Sequence, residues 1–350
     1  MEYLENINEK LSDIDETNII YYDLFDYPEF FYGTLNFAND CVDFSKFPKH
    51  ILDNIKNFDD DTFVTMKKLN DSTCGCRIKF KTESHRIILK IQLKNKDMTH
   101  NIPPENSRGF DVYYLNNDSY IPLSVLAPEN DKNIFAQCIC NEDNSDICIF
   151  LPNYDSIEKI YVGIESDSYF YPSPYAGENR KAILFYGNDV SQGRLASKCS
   201  CSYPNIVSKM MDQDIINLSC DTATGPFEDI AEYIGRINCH SIVLDCSTFI
   251  ENKEENKEMF KKFYKTIRQY HEDTRIILLT SPNYDEDEKY DRIDHEIIMA
   301  YEDAVNDKEN TIIINQKTII KDILPDTSSK KYDKIMKKIA ESICDCHKKY

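Results

Sequence analysis

Between residues 182 and 345, short apolar runs alternate with amphipathic helical patterns, and few folds accept that alternation. The runs are 182–186, Asp214-Ile215-Ile216-Asn217-Leu218, Ser241-Ile242-Val243-Leu244-Asp245, Arg275-Ile276-Ile277-Leu278-Leu279 and Thr311-Ile312-Ile313-Ile314-Asn315. Each is short, rich in β-branched residues and apolar nearly throughout, the pattern of a strand buried on both faces. Helical patterns lie between them. One has Pro226 in its first turn and Phe227, Ile230, Ala231 and Ile234 on one face. Another runs through Met259, Phe260, Phe263 and Ile267, and the last carries Ile335, Met336, Ile339 and Ile343. Five such strands with intervening helices imply a doubly wound α/β domain built on a parallel, flavodoxin-like sheet. Ligands of such sheets bind beyond the carboxyl ends of the strands. Asp189, the Ser219–Thr224 turn, the residues after Asp245 and the loop before the last helix are therefore expected around one cleft.

The first half reads as β-rich. Cys76–Thr82, Arg86–Leu93, Phe110–Leu115, Ile134–Ile139, Ile147–Leu151 and Ile157–Ile164 carry β-branched and aromatic residues in partial alternation. Asn, Asp and Pro clusters separate them, with a hairpin turn expected at Leu115-Asn116-Asn117-Asp118-Ser119. Short strands at this spacing predict an antiparallel β-sandwich. The expected domains are thus 1–177, with an N-terminal segment 1–65 that shows little periodicity, and 178–350.

Composition narrows the function classes. A net charge of −20 argues against a nucleic-acid or anionic-membrane partner, since phosphate binding needs clustered Lys and Arg. No apolar run approaches the ~20 residues that span a bilayer. The opening residues Met1-Glu2-Tyr3-Leu4-Glu5-Asn6 lack the basic region and apolar core of a signal peptide, which sets the expectation of a cytoplasmic protein. Eight of the thirteen cysteines fall in four pairs with Cys-x-Cys spacing: Cys74/Cys76, Cys138/Cys140, Cys199/Cys201 and Cys344/Cys346. On a strand that spacing sets two thiols about 7 Å apart, poor geometry for a zinc knuckle. Reduced cysteines used for packing are expected, with no cofactor.

Phe185-Tyr186-Gly187-Asn188-Asp189-Val190-Ser191-Gln192-Gly193 follows the first apolar run and precedes Ser202-Tyr203-Pro204. This strand, glycine-bearing turn and helix resembles the first block of the SGNH (GDSL-type) hydrolases, where the loop reads Tyr-Gly-Ser-Ser-Ile-Thr-Gln-Gly. Gly109-Phe110-Asp111-Val112-Tyr113 is similar to the Gly-x-Asp-Leu-Tyr signature of a β-sandwich that precedes certain SGNH domains. Phe150-Leu151-Pro152-Asn153-Tyr154-Asp155 resembles a second segment of that module. The resemblance covers most of residues 70–345.

Ester hydrolysis in this family needs a serine nucleophile, a histidine oriented by an aspartate, and an oxyanion hole. The resemblance places Asp189 at the nucleophile and Thr222 at the oxyanion glycine, within Asn217-Leu218-Ser219-Cys220-Asp221-Thr222. It places Phe249 at the oxyanion asparagine, four residues after Asp245, and Leu324 at the histidine. Gly187, Asn188, Asp189, Asn217, Ser219, Thr222, Asp245, Phe249 and Leu324 are then the remnant of a catalytic cleft. A Cβ at Thr222 disfavours positive φ there. The implied protein is a pseudoenzyme that binds a glycan, an acylated small molecule or a protein. The competing reading is a carboxylester hydrolase or acyltransferase using a displaced serine or an acid-bound metal. For the metal, Asp189, Asp221 and Asp245 are the candidate ligands, and the bland alternative has Asp221 capping the helix near Pro226. Ser191 is expected to stabilise the turn. The aromatic run Tyr169–Tyr175 either stacks on sugar rings or joins the domains.

Overall fold

The computed structural model describes residues 14–35, 42–56, 60–95, 101–116, 119–129, 132–141, 146–250, 254–281, 288–305 and 310–348. The chain falls into two units. The first comprises Met1–Ser45, Asp71–Ala176 and Ser197–Ser200; the second comprises Lys46–Asn70, Gly177–Ala196 and Cys201–Tyr350.

Alternation of apolar residues builds the first unit. Its strands in chain order are β1 (Ile19–Asp23), β2 (Phe31–Tyr32), β3 (Arg77–Lys81), β4 (Arg86–Leu93) and β5 (Phe110–Asn116). They continue with β6 (Ser119–Leu126), β7 (Ile134–Cys140), β8 (Asp146–Phe150), β9 (Ile157–Glu165) and β10 (Tyr171–Pro172). One sheet runs β1-β9-β4-β7 and the other β10-β3-β8-β5-β6, with β2 also on β3. All of these pairings are antiparallel. Ile87, Leu89, Ile91 and Leu93 project from β4 into a core shared with Ile78, Phe80, Val112 and Ile149. The intervening Lys90 is buried on the opposite face, where its Nζ donates to Glu16 Oε1 at 2.6 Å and lies 4.2 Å from the Tyr21 ring centre. A buried ammonium is tolerable only with such partners.

The Gly109-Phe110-Asp111-Val112-Tyr113 motif has a structural meaning. A Cβ on Gly109 would lie 2.4 Å from the Glu105 carbonyl oxygen. Asp111 is buried, and its Oδ2 accepts from Ser200 N at 2.8 Å and Cys199 Sγ at 3.4 Å. Tyr113 OH meets Ser200 Oγ at 2.8 Å. The motif therefore fixes residues 199 and 200. The aromatics of 169–175 belong to this unit too: Phe170 stacks on Phe30 and packs against Phe80, and Tyr175 OH accepts from Arg77 Nε at 2.9 Å.

In the second unit the apolar runs become β11 (Ile183–Gly187), β12 (Ile215–Asn217), β13 (Ser241–Asp245), β14 (Arg275–Leu279) and β15 (Thr311–Ile314). All pair in parallel, in the order β12-β11-β13-β14-β15. This is the flavodoxin-like order, whose direction of winding switches between β11 and β13. Ile183, Phe185, Val243 and Ile277 pack on one face against Ile335, Met336, Ile339 and Ile343 of the helix Lys331–Lys348. The helix after β12 spans Glu228–Gly235, so Pro226 lies before its start rather than in its first turn, and Phe227 is its N-cap without a side-chain bond. Asp221 does not cap it.

Residues 46–70 group with the second unit, although in sequence they precede most of the sandwich. They form helices Lys49–Lys56 and Asp60–Leu69 within the stretch that shows little periodicity. Asn70 closes the excursion: its Oδ1 accepts from Phe47 N and its Nδ2 donates to Phe47 O, at 2.9 and 3.0 Å. Lys46, only 4% exposed, donates from Nζ to Ser219 O at 2.6 Å.

The twelve described cysteines form no disulfide with one another. Of the Cys-x-Cys pairs, 74/76 and 344/346 are buried, Cys199 is buried beside a half-buried Cys201, and 138/140 are exposed. No helix among the described residues is long and apolar enough to cross a membrane. Replacing Lys46 by Met removes a charged donor and leaves the Ser219 carbonyl without it. The expected loss is about 2 kcal/mol of stability, read as a lower urea midpoint.

Candidate functional site

β11 ends at Gly187 directly opposite Asp245, the last residue of β13. A Cβ on Gly187 would lie 2.2 Å from Ser191 Oγ and 2.8 Å from Asp245 Cβ, so only glycine fits. Asn188 then caps a single turn, Asp189–Gln192, with Oδ1 accepting from Val190 N at 3.0 Å and Ser191 N at 3.3 Å. Gly193 ends the turn at φ 111°, a left-handed conformation suited to glycine. The next strand's exit holds this turn in place. Asn217 Nδ2 donates to Ser191 O at 2.9 Å, and its Oδ1 accepts from Ser219 N at 3.0 Å. Ser219 Oγ accepts from Gly187 N at 3.0 Å.

Two of the turn's polar side chains, Ser191 and Asp189, point in different directions. Ser191 faces inward: it is fully buried, hydrogen-bonded to the Tyr203 hydroxyl and 3.5 Å from Asp245 Oδ2. Asp189 faces outward. Its Oδ1 accepts from Val190 N at 2.9 Å, and its Oδ2 lies 3.4 Å from Arg194 Nη1. The same Arg194 nitrogen lies 3.8 Å from Asp221 Oδ1, so one guanidinium, 42% exposed, stands between two carboxylates. Burial raises the Asp189 pKa, the Asp221 charge raises it further, and Arg194 opposes both.

Asp245 lies beneath. Its Oδ1 accepts from Ser247 Oγ at 2.8 Å and its Oδ2 from Gln316 Nε2 at 3.2 Å. Gln316 also donates to Thr280 O at 2.7 Å, which fixes the amide. Burial pushes the Asp245 carboxyl up to about 7, although the bonds from Ser247 and Gln316 favour its ionised form.

The remaining positions are dispersed around this network. Thr222 is exposed and its N–H is taken by Asp221 Oδ1 at 2.7 Å. Positive φ falls on Asp221, at 53°, and not on Thr222; an acid tolerates that conformation better than a β-branched residue does. Phe249 is half-buried against Gly225, where a Cβ would come within 3.2 Å of its ring. Leu324 is buried in the apolar cluster of Val190, Ile320 and Ile335. Among the described residues, no group of three or more His, Cys, Asp or Glu is placed to hold a metal ion. Of the trio Asp189, Asp221 and Asp245, the first two have Arg194 between them, and Asp245 is bonded to Ser247 and Gln316.

The described histidines with side-chain partners have them elsewhere. His347 Nε2 meets Ser241 Oγ at 3.3 Å, at the amino end of β13, and His271 bonds Thr274 and Ile234 O. Sequence reasoning missed Arg194, Tyr203 and Gln316 as parts of the site. Tyr203 sits in a quoted segment, but nothing local marks Gln316, which reaches Asp245 across 71 residues.

Residues 38–170 match the GxDLY family, described as the N-terminus of SGNH-hydrolase-type esterases. Residues 180–339 match the GDSL-like lipase/acylhydrolase family. No curated protein matches the chain. Among solved structures, a putative GDSL-like lipase from Bacteroides ovatus is 20% identical with a TM-score of 0.75, over 95% of this chain and 98% of that one. A salicylyl-acyltransferase from a tetracycline biosynthetic pathway is 15% identical with a TM-score of 0.65, over 86% of each chain. A family 2 carbohydrate esterase with a carbohydrate-binding domain, from Corynascus thermopiles, is 12% identical with a TM-score of 0.54, over 79% of this chain and 95% of that one. At these identities the likeness is one of fold.

Asp245 gives the site a measurable pH signature. An unfolded aspartate titrates at about 4, so unfolding releases its proton between about pH 4 and 7. Stability from this group therefore falls as pH rises through that window. His240, His271 and His347, held low mainly by burial, act in the opposite sense as pH drops. Comparison with Asp245→Asn isolates the carboxyl. The variant's stability relative to wild type is expected to increase with pH, by at most about 1.4 kcal/mol per unit, in denaturation series between about pH 5 and 7.5.

Proposed function

Because the chain belongs to the SGNH (GDSL-type) hydrolase family, with a GxDLY-type N-terminal domain, we propose that it is a non-catalytic member whose cleft binds a ligand instead of cleaving an ester. The observation that carries this reading is the outward-facing side chain of the β11 turn. It is Asp189, neutralised by Arg194, where the family resemblance calls for a serine. The serine that the turn does contain, Ser191, is buried against Tyr203 and holds the turn. Leu324, at the position of the base, contributes to an apolar core.

A carboxylate could attack an acyl carbon, but release of the resulting ester requires an activated water and hence a base. Asp189 is instead suited to accept hydrogen bonds beside the guanidinium of Arg194. Carboxylate, guanidinium and a half-exposed phenyl ring at Phe249 are groups that bind polyhydroxylated molecules, and carbohydrate esterases occur among the proteins of like fold. Oligosaccharides and acylated small molecules are therefore the first ligands to test, ahead of a protein partner. We take the protein to act in the cytoplasm, without nucleic acid or membrane as partner, in keeping with its net charge of −20.

Purified protein is expected to hydrolyse p-nitrophenyl acetate at the background rate. Loss of a triad member typically costs about 10^4–10^6-fold. A fluorophosphonate probe is expected to leave the chain unlabelled. Stoichiometric labelling at Ser191, or ester turnover abolished by Asp189→Asn, would establish an active hydrolase or acyltransferase with non-standard residues.

A further inference from the structure

The helix Glu228–Gly235 meets the helix Lys49–Lys56 along an unusual seam. Asp229, Glu232, Tyr233 and Arg236 recur at i, i+3, i+4 and i+7, so they form one stripe. Seams between packed helices are ordinarily filled by interdigitating side chains. This one opens into a cavity of about 350 Å³. The buried Ile51 and Ile237 line it together with the half-buried Tyr233 ring. The exposed side chains of Asp229, Glu232 and Arg236 line it as well.

These groups form an apolar hollow with charges of both signs at its mouth. The volume is at the lower end of the range for small-molecule pockets, about 300–1,000 Å³, and suits a ligand of roughly a dozen non-hydrogen atoms. Arg236 Nη2 donates to Glu232 Oε2 at 3.2 Å, and Asn54 Nδ2 donates to Asp229 Oδ2 at 3.0 Å. Both contacts are exposed, so a ligand displaces little by competing for them. The guanidinium has five donors, of which this bond uses one. A ligand that is only an anion meets two carboxylates, and one that is only a cation meets Arg236. A molecule carrying both charges satisfies both poles.

We propose that this cavity binds a zwitterion of amino-acid size with an apolar side chain. The ligand carboxylate pairs with Arg236, its ammonium donates to Asp229 and Glu232, and its side chain lies against Ile51, Ile237 and Tyr233. The helix Glu228–Gly235 starts near the carboxyl end of β12 and leads to the amino end of β13, so Arg236 lies toward the opposite end of the sheet from the Asp189 cleft. The proposal is thus independent of what that cleft binds.

Calorimetric titration of the full chain with L-phenylalanine and L-leucine tests it, with 3-phenylpropionate and phenethylamine as singly charged analogues. Saturable binding of both amino acids is expected, with each analogue weaker by about tenfold or more. Arg236→Ala is expected to weaken L-phenylalanine by about tenfold at an unchanged melting temperature. Asp229→Asn is expected to weaken L-phenylalanine while leaving 3-phenylpropionate unaffected. The proposal is overturned if nothing saturates below about 10 mM, if the analogues bind as well as the amino acids, or if neither substitution changes binding.

Discussion

Gly187 lies opposite Asp245 where the winding of the parallel sheet reverses, and the missing Cβ there sets the geometry of its surroundings. The space that a methyl group would fill is taken by the Ser191 hydroxyl and the Asp245 methylene. With Ser191 drawn inward, the turn presents Asp189 outward, because residues two apart on a helical turn lie on opposite faces. Asn217 and Ser219 then tie the turn to the exit of β12 through two contacts to its backbone, while Asn188 caps the turn from within. The turn and the exit of β12 are thus held together by polar contacts among their own groups.

Two acids on this scaffold occupy contrasting environments. Asp245 has neutral partners only, a hydroxyl and an amide, so burial dominates its titration. Asp189 is nearer solvent and has a guanidinium beside it, which limits the rise that burial and Asp221 impose. Solvent can reach the outer acid and a ligand can address it. The inner one acts on the stability of the strand ends. Asp189 thus stands at the solvent side of the turn, and Asp245 is bonded to the loop residues Ser247 and Gln316 beneath it.

Much of this architecture was legible in the residues. The parallel strands were readable almost to their ends because a strand buried on both faces must be apolar throughout. β4 was readable because its inward residues alternate strictly. β6 was missed because it is an edge strand, paired among the described residues only with β5, and carries Pro122 and polar residues that such a position tolerates. β1 and the helices of 49–69 lie in a stretch whose Asp and Asn content hides a few buried apolar positions, such as Ile51, Leu52 and Ile55. At the site, motif spacing placed the loops but could not orient their side chains. The inward turn of Ser191 depends on Asp245, 54 residues later, and on a tyrosine of the following helix. Arg194 between two acids is likewise a product of folding, since Asp221 comes from another loop.

The bond between Lys46 and the Ser219 carbonyl spans 173 residues of sequence. On a ribosome the lysine emerges long before its acceptor exists, and the whole described sandwich strand set from β3 to β10 is synthesised in the interval. A contact of that separation carries a large loop-closure entropy until the intervening chain has compacted. The two helices of 49–69 can therefore complete their packing on the α/β unit only once Ser219 and the strands around it are in place. A fragment cut at the start of β11 would lack them, leaving the seam beside Glu228–Gly235 and the Ser219 carbonyl uncovered. In this chain the boundary of a folding unit is a matter of space, and a continuous stretch of sequence does not contain it.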